Sequence, residues 1–324
     1  MPLNNKPNDP PFVLAIHGGA GTIRRQDLTP DQEAALLAGL HAALDAGQAI
    51  LAQRGSALDA VIAAVSALED NPLFNAGRGA VFNDEGRIEL EAAVMNGPDQ
   101  AAGSVTGVTR TRNPVQLARA VMQHTAHVTL GFDAADRLAL TLGLPQGDAD
   151  YFYTAKRWQA LQDELARMAA GGSEADAPED RKHGTVGAVA LDCMGRLAAA
   201  TSTGGRTAKM AGRIGDTPVI GAGTWADTRC AVSGTGHGEY FVRAAVAHDI
   251  AARIHYGAQP LAQASQATID TLTAMGGTGG VIAIDHHGNI AMPFNCEGMY
   301  RAAIDQQGQR TVAIYRDGSA PATA

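Results

Sequence analysis

The stretch His183-Gly184-Thr185-Val186-Gly187-Ala188-Val189-Ala190 marks the sharpest change of character in the chain. Before it, residues 171–183 carry many charges, one proline and no large apolar side chain, the composition of a flexible linker. After it, Thr185 to Leu191, a turn at Asp192 to Arg196, and Leu197 to Thr201 read as a hairpin of two short, largely apolar strands. A segment that starts in mid-strand with no lead-in is an odd boundary, which makes Gly184-Thr185 a candidate cleavage site. A break there gives Thr185 a free α-amino group beside its own hydroxyl. An α-amine has a reference pKa of about 7.7–8.0, so much of it is unprotonated near neutral pH and able to activate Oγ. One residue then supplies nucleophile and base. Taken alone, the dipeptide reads first as an ordinary strand threonine after a loop.

Working outward, Phe12 to Ile16 is a short apolar strand, and Thr29-Pro30-Asp31-Gln32 has the cap, proline and glutamine that open a helix running to about Ala52. Further helices are expected from Ser56 to about Glu69, from Asn113-Pro114 to about His124, from Gly131 to Leu142, and from Ala155 to Ala170. The last places Trp158, Leu161, Leu165 and Met168 on one side. Beyond the first hairpin come helices at Glu239 to His255 and Leu261 to Met275. A second hairpin spans Gly280 to Asp285 and Ile290 to Pro293, with the exposed pair His286-His287 in its turn, and a strand follows at Thr311 to Tyr315. Strand pairs separated by blocks of helix predict an α/β fold with a layered sheet and helices outside.

Composition narrows the function. A formal charge of −8, with 25 Lys+Arg against 33 Asp+Glu and no basic block, excludes a phosphate-tracking nucleic-acid binder. No window approaches the roughly 20 uninterrupted apolar residues of a spanning helix, and the first eleven residues lack the apolar run of a secretory signal. Three scattered cysteines, Cys193, Cys230 and Cys296, form neither a disulfide framework nor a zinc knuckle. The expectation is a cytoplasmic protein that meets neither membrane nor nucleic acid. Glycine is in excess, 38 of 324 residues against roughly 7% in average usage, and clusters in stretches that read as loops through which backbone N–H groups approach a ligand.

Those stretches also carry a resemblance. They are His17-Gly18-Gly19-Ala20-Gly21, Asn71-Pro72-Leu73-Phe74-Asn75-Ala76-Gly77-Arg78-Gly79, His183 to Ala190, Ala200-Thr201-Ser202-Thr203-Gly204-Gly205, Gly212-Arg213-Ile214-Gly215-Asp216-Thr217-Pro218, Gly221-Ala222-Gly223-Thr224 and Gly234-Thr235-Gly236-His237-Gly238-Glu239. In this order, over nearly the whole chain, the sequence resembles the plant-type L-asparaginases, or isoaspartyl peptidases, of the N-terminal nucleophile (Ntn) hydrolases. The resemblance implies a four-layer αββα sandwich and self-cleavage at Gly184-Thr185. The products would be an α chain of residues 1–184 and a β chain of residues 185–324, assembled as (αβ)₂.

By the same resemblance, Thr185 is the nucleophile and base, and Thr203 supplies a second hydroxyl beside it. Thr235 and the Gly236 N–H form the oxyanion hole, and Gly238 contributes a backbone contact to the substrate ammonium. Asn75 supports the nucleophile region. Main-chain carbonyls of Leu68, Glu69, Asn71, Phe74, Ala76 and Arg78 bind a structural Na⁺, and neither an organic cofactor nor a catalytic metal is required. Arg213 and Asp216 match the substrate anchors, and their chemistry suits the task independently. A guanidinium fork for an α-carboxylate and a carboxylate for an α-ammonium, three residues apart, hold an amino-acid zwitterion, although an isolated Arg-x-x-Asp also reads as a surface ion pair.

The implied reaction is hydrolysis of the side-chain amide of L-asparagine and of β-aspartyl dipeptides through an ester on Thr185. A glycosylasparaginase is the alternative of the same superfamily, with Asp-Thr rather than Gly-Thr at the scissile bond; a non-catalytic amino-acid binder is the alternative of another class. Three departures bear on substrate choice. Arg206 replaces an apolar residue, His237 replaces a small polar one, and Gly234 replaces a small side chain in a way that loosens the oxyanion loop.

Overall fold

The computed structural model describes residues 11–172 and 184–316. Of the expected linker at 171–183, all but Gly171 and Gly172 lies outside the described residues.

Strand β1 (Val13–Gly21) shows why the fold is layered. Leu14 and Ile16 enter a core shared with helices, while Val13 and Ala15 enter a second core on the other side. A strand buried on both faces requires a layer over each, and side chains alternate with period two. The remaining strands are β2 (Leu90–Asn96), β3 (Ala102–Val108), β4 (Thr129–Gly131), β5 (Val186–Leu191), β6 (Leu197–Thr203), β7 (Thr224–Ala226), β8 (Cys230–Gly236), β9 (Gly279–Asp285), β10 (Ile290–Ala291), β11 (Gly298–Ile304) and β12 (Arg310–Tyr315). They form an eight-stranded sheet in the order β12-β11-β1-β5-β6-β2-β3-β4 and a four-stranded sheet in the order β10-β9-β8-β7.

The helices are α1 (Pro30–Ala52), α2 (Ala57–Asp70), α3 (Pro114–His124), α4 (Phe132–Thr141), α5 (Ala149–Phe152), α6 (Ala155–Ala169), α7 (Gly238–Ala244), α8 (Val246–His255) and α9 (Leu261–Ala274). Leu36, Leu40 and Leu44 of α1 and Val61, Val65 and Leu68 of α2 cover the outer face of the large sheet. Val246, Ile250 and Leu272 of α8 and α9 cover the small sheet through Val232, Val281 and Ala283. Between the sheets lie Val13, Ala15, Val189, Leu191, Ala199, Ala231, Ile282 and Ile284. The order is helix, sheet, sheet, helix, the four-layer sandwich that the resemblance implied.

Local chemistry explains the ends that sequence places well. Thr29 Oγ1 accepts the Gln32 N–H and the Gln32 side chain accepts the Thr29 N–H, a reciprocal cap on α1. Ser56 caps α2 with its Oγ, which accepts the Asp59 N–H and donates to the Asp59 carboxylate. Several expectations change. The strand expected to stop at Ile16 runs on to Gly21, because His17 to Gly21 pair with β11 across a bulge between His17 and Gly19. That glycine cluster is therefore strand rather than loop. The single helix expected from Glu239 to His255 breaks at Ala245, which has φ 46°, so that the N–H groups of Ala247 and His248 can bond to the carbonyls of Ala222 and Gly221. On α6 the expected stripe is only partly buried: Leu161 is core, whereas Trp158 and Met168 stay largely exposed.

Helix α1 is long and apolar enough to span a membrane by length and composition alone, with a mean hydropathy of 1.4 over its best window, although polar residues interrupt its apolar run. Its buried side chains pack on β1 and α2, while His41 and Asp45 on its other face are exposed, the pattern of an amphipathic core helix. Truncating its fully buried Leu40 to alanine is expected to cost about 2–5 kcal/mol of unfolding free energy, read from denaturant titration. A loss below about 1 kcal/mol would remove α1 from the core.

Candidate active site

The layer between the sheets is apolar along most of its length and turns polar at one end. The positions that continue the inward-facing pattern are His17 on β1, Gly187 on β5, Thr201 and Thr203 on β6, and Ser233 and Thr235 on β8. Thr185 lies one step before β5. The antiparallel register pairs Val186 with Ser202, so the next pair outward is Thr185 with Thr203. The two threonines expected to act together are thus cross-strand neighbours, and Thr185 Oγ1 donates to Thr203 Oγ1 at 3.2 Å.

Thr203 Oγ1 accepts a second bond from the Gly205 N–H at 2.9 Å and donates its own proton to the Gly184 carbonyl, also at 2.9 Å. Asn75 Nδ2 donates to that same carbonyl at 2.8 Å and to the Gly205 carbonyl at 2.7 Å, while Asn75 Oδ1 accepts the Val81 N–H. Every hydrogen-bonding atom of the Asn75 amide has a partner, which fixes its orientation. The Gly184 carbonyl therefore has two donors on its oxygen, and the Thr185 hydroxyl has its proton directed away from that bond. Gly19, at φ 116°, brings β1 close to this peptide: a Cβ there would lie 3.2 Å from the Gly184 Cα.

Thr235 is fully buried, and its Oγ1 accepts the Ala20 N–H at 3.2 Å, which leaves its proton to be donated elsewhere. Gly184, Thr185, Thr203, Arg213, Asp216 and Gly236 line one small cleft. Gly238 packs behind Arg213 and Asp216: a Cβ on it would lie 2.8 Å from both Arg213 Nη2 and Asp216 Oδ1. The structure thus brings together residues singled out in four separate sequence stretches. It also pairs Arg213 with a residue given no role in the sequence, Glu239, at 3.0 Å from Nε and 2.9 Å from Nη2. The loop expected to be loosened by Gly234 is instead regular β8, where Gly234 pairs with Val281 and leaves room for Phe241. Arg206 is buried in the cleft wall, and His237 meets Tyr240 edge to face with ring centroids 4.6 Å apart. His286 and His287 are exposed in the β9–β10 turn.

Three carboxylates that carried no motif signal hold the Arg213 loop by its backbone. Asp84 accepts the Ala211 N–H at 2.9 Å, Glu89 the Gly212 N–H at 3.0 Å, and Glu91 the Gly215 N–H at 3.1 Å to each oxygen. Buried Lys209 donates to the Glu89 carbonyl. Burial pushes the Glu91 carboxyl above its ordinary range, against the pull of Lys209 and Arg213. Asp216 is fully enclosed, and burial pushes it up to about 7 despite neighbouring Arg213; its Oδ2 has no hydrogen-bond partner.

Ahead of Asn75, the segment from Leu68 to Gly79 coils tightly. The carbonyls of Leu68, Asn71, Phe74 and Ala76 each accept a backbone N–H from within the coil. A Cβ on Gly77 would lie 2.6 Å from the Glu69 carbonyl oxygen, and one on Gly79 would lie 2.7 Å from that of Pro72 and collide with that of Phe74. The carboxyl of Glu69 itself is buried, accepts the Val115 N–H and is pushed by desolvation to about 8.

The family model for asparaginase matches residues 10–314. The chain is 48% identical to the isoaspartyl peptidase of Escherichia coli over 94% of this chain and 96% of the relative. It is 39% identical to the isoaspartyl peptidase/L-asparaginase of Danio rerio over 94% and 95%, and 40% identical to the plant-type L-asparaginase of Pyrococcus abyssi over 91% and 96%.

Asp216 holds its proton more tightly in the folded chain than in the unfolded one, so its favourable contribution is complete at low pH and lost as pH rises from 3.8 through about 7. Asp216→Asn is therefore expected to be more stable than the parent at pH 8.5, on the order of 1–3 kcal/mol, with a smaller gain at pH 5. Thermal denaturation at both pH values checks this; equal gains would mean an ordinary carboxyl.

Proposed function

The chain belongs to the asparaginase family, and from that premise we propose that it cuts itself between Gly184 and Thr185 and then hydrolyses the side-chain amide of L-asparagine and of β-aspartyl dipeptides. The observation that carries this reading is the geometry at Gly184, where an amide carbonyl with two donors on its oxygen precedes a threonine whose hydroxyl leans on a second threonine.

In maturation, Thr185 Oγ attacks the Gly184 carbonyl carbon, and Asn75 Nδ2 and Thr203 Oγ1 stabilise the developing oxyanion. The C–N bond breaks, the nitrogen takes the proton that Oγ gives up, by way of Thr203 Oγ1, to become the Thr185 α-amine, and Gly184 is left as an ester on Oγ. Water hydrolyses the ester to a free Gly184 carboxylate. The α chain of 1–184 and β chain of 185–324 stay together through the large sheet, where β1 pairs with β5 and β11 and β2 pairs with β6 across the cut, and pairs of them associate as (αβ)₂.

In turnover, Arg213 takes the substrate α-carboxylate in place of Glu239, and ionised Asp216 takes the α-ammonium. The side-chain amide then faces Thr185. The α-amine accepts the Oγ proton as Oγ attacks the amide carbon, and the Thr235 hydroxyl and Gly236 N–H receive the oxyanion. The amine passes its proton to the leaving nitrogen, releasing ammonia or the downstream amino acid and leaving a β-aspartyl ester. Water, deprotonated by the same amine, frees L-aspartate and Thr185.

We further propose that a sodium ion is held by the second lone pairs of the Leu68, Asn71, Phe74 and Ala76 carbonyls, each of which already accepts one backbone N–H, together with the main-chain oxygens of Glu69 and Arg78. Such an ion would stiffen the support of Asn75. We propose further that the enzyme needs neither an organic cofactor nor a catalytic metal, since Thr185 supplies both nucleophile and base, and that it works in the cytoplasm.

On a denaturing gel the purified protein is expected to give two fragments, the smaller with Thr185 at its N-terminus, and Thr185→Ala a single band. An intact chain that is fully active would overturn the mechanism. Aspartate should be released from L-asparagine and β-aspartyl-leucine; release from a glycosylated asparagine alone would move the protein to the sister family. Arg213→Ala should lower kcat/KM by roughly 10–100-fold, the loss of about 1.5–3 kcal/mol of charge-assisted hydrogen bonding. Because ammonium binding needs ionised Asp216, kcat/KM should rise as pH increases through about 7.

A further inference from the structure

His17, on the interior strand β1 of the large sheet, is completely buried with no charged partner, and the reaction described above does not use it. Its Nδ1 lies 3.1 Å from the Thr185 carbonyl oxygen and its Nε2 lies 2.9 Å from Ser233 Oγ. Ser233 Oγ is 2.7 Å from Thr201 Oγ1, and Thr201 Oγ1 is 2.7 Å from Thr224 Oγ1. We propose that Thr224, Thr201, Ser233 and His17 form a one-way chain of hydrogen-bond donors ending on the Thr185 carbonyl, and that His17 is thereby a positioning residue for the nucleophile.

The direction of the chain follows from counting protons. A carbonyl oxygen only accepts, so the His17 nitrogen facing Thr185 is the protonated one. Burial lowers the His17 pKa to about 3, so the ring is neutral at working pH and Nε2 can only accept. Ser233 spends its single proton on Nε2 and must accept from Thr201, which in turn accepts from Thr224. A chain whose donors all point one way polarises its members cooperatively, and the last bond gains most. Gly187 makes room for it, since a Cβ there would overlap both Ser233 Oγ and His17 Nε2.

The consequence rests on the cleavage proposed above. An intact chain holds Thr185 on both sides, through Gly184 and through Val186. Cutting removes the first tether, after which rotation about the Thr185 Cα–C bond would swing the α-amine and Oγ away from the cleft. That rotation is stopped by holding the carbonyl, which is what His17 does, while Thr203 holds Oγ. The same strand also delivers the Ala20 N–H to Thr235 Oγ1, so the bulge between His17 and Gly19 sets nucleophile and oxyanion donor on one support.

The test compares the wild type with His17→Asn, which keeps a donor in place of Nδ1–H, with His17→Leu, which keeps volume but no donor, and with Ser233→Ala, which removes one hydroxyl. Turnover of β-aspartyl-leucine is normalised to the amount of free Thr185 N-terminus. We expect His17→Leu to lose about 100-fold in kcat with KM within about threefold of the wild type, His17→Asn to recover at least tenfold of that, and Ser233→Ala to fall about three- to tenfold. Equal losses in His17→Asn and His17→Leu, or wild-type kcat in His17→Leu, would overturn the proposal. A second readout is independent of activity. Nitrogen-15 NMR of histidine-labelled protein should show His17 protonated at Nδ1 alone and not titrating from pH 5 to 9. Protonation at Nε2, or a titration near 6.5, would overturn it even if the enzyme were active. If the wild type itself neither cuts nor releases aspartate, the functional reading fails while the NMR result still decides the donor chain.

Discussion

Two sheets packed face to face leave no water between them, so any polar group in that layer has to find its partners among the side chains and backbone of the two sheets. This constraint organises the whole molecule. Along most of the layer it is met by valine, isoleucine and alanine. At one end the same inward-facing positions become histidine, threonine and serine, and there each hydroxyl and ring nitrogen is paired across strands or across sheets. A site built this way is rigid because its members are also members of β-ladders, and Thr185 inherits its placement from the register of β5 with β1 and β6.

A different physics governs the other half of the cleft. The loop that carries Arg213 and Asp216 is not part of a sheet, and its backbone is held by Asp84, Glu89 and Glu91 from residues on the far side of the proposed cut. Buried charges of both signs, Lys209 among them, are gathered behind it. Desolvation opposes the ionised form of Glu91 and Asp216, so this region gives up stability in order to present a fork and a carboxylate side by side. Glu239 satisfies the fork of Arg213 in the unliganded chain. The hydroxyl half of the site is thus set by packing and the zwitterion half by electrostatics.

Sequence reading recovered the helices with explicit caps, such as Thr29 to Gln32 and Ser56, because a cap is a local side-chain-to-backbone bond. It recovered the β5–β6 hairpin from an apolar pattern broken by a turn. The strands at Leu90 to Asn96 and Ala102 to Val108 are not legible in it: both are buried on both faces, the first mixes leucine, alanine, valine and methionine that suit a helix as well, and the second is broken by two glycines, so no alternation marks either. The Glu239 to His255 helix was read as continuous because the kink at Ala245 answers to carbonyls at Gly221 and Ala222, more than twenty residues away. Residues at the site divide in the same way. Those lying in quotable motifs are legible, Glu239 only as a residue without a role, whereas Glu89 and Glu91 act through contacts with a distant loop and leave no local pattern.

The order of residues alone determined the layered α/β class, the break of character at Gly184-Thr185, and a set of motifs matching one family from end to end. These properties depend on local chemistry: periodicity, caps, turns and the identity of side chains in short runs. Only the tertiary structure decided which of those residues meet. Thr185 faces Thr203 because of strand register, Asn75 and Thr203 share one carbonyl because the 68–79 coil folds over β6, and His17 reaches Ser233 because two sheets stack. Each of these contacts joins residues at least eighteen positions apart, and a distance through space of that kind is fixed by packing, which no short stretch of sequence contains.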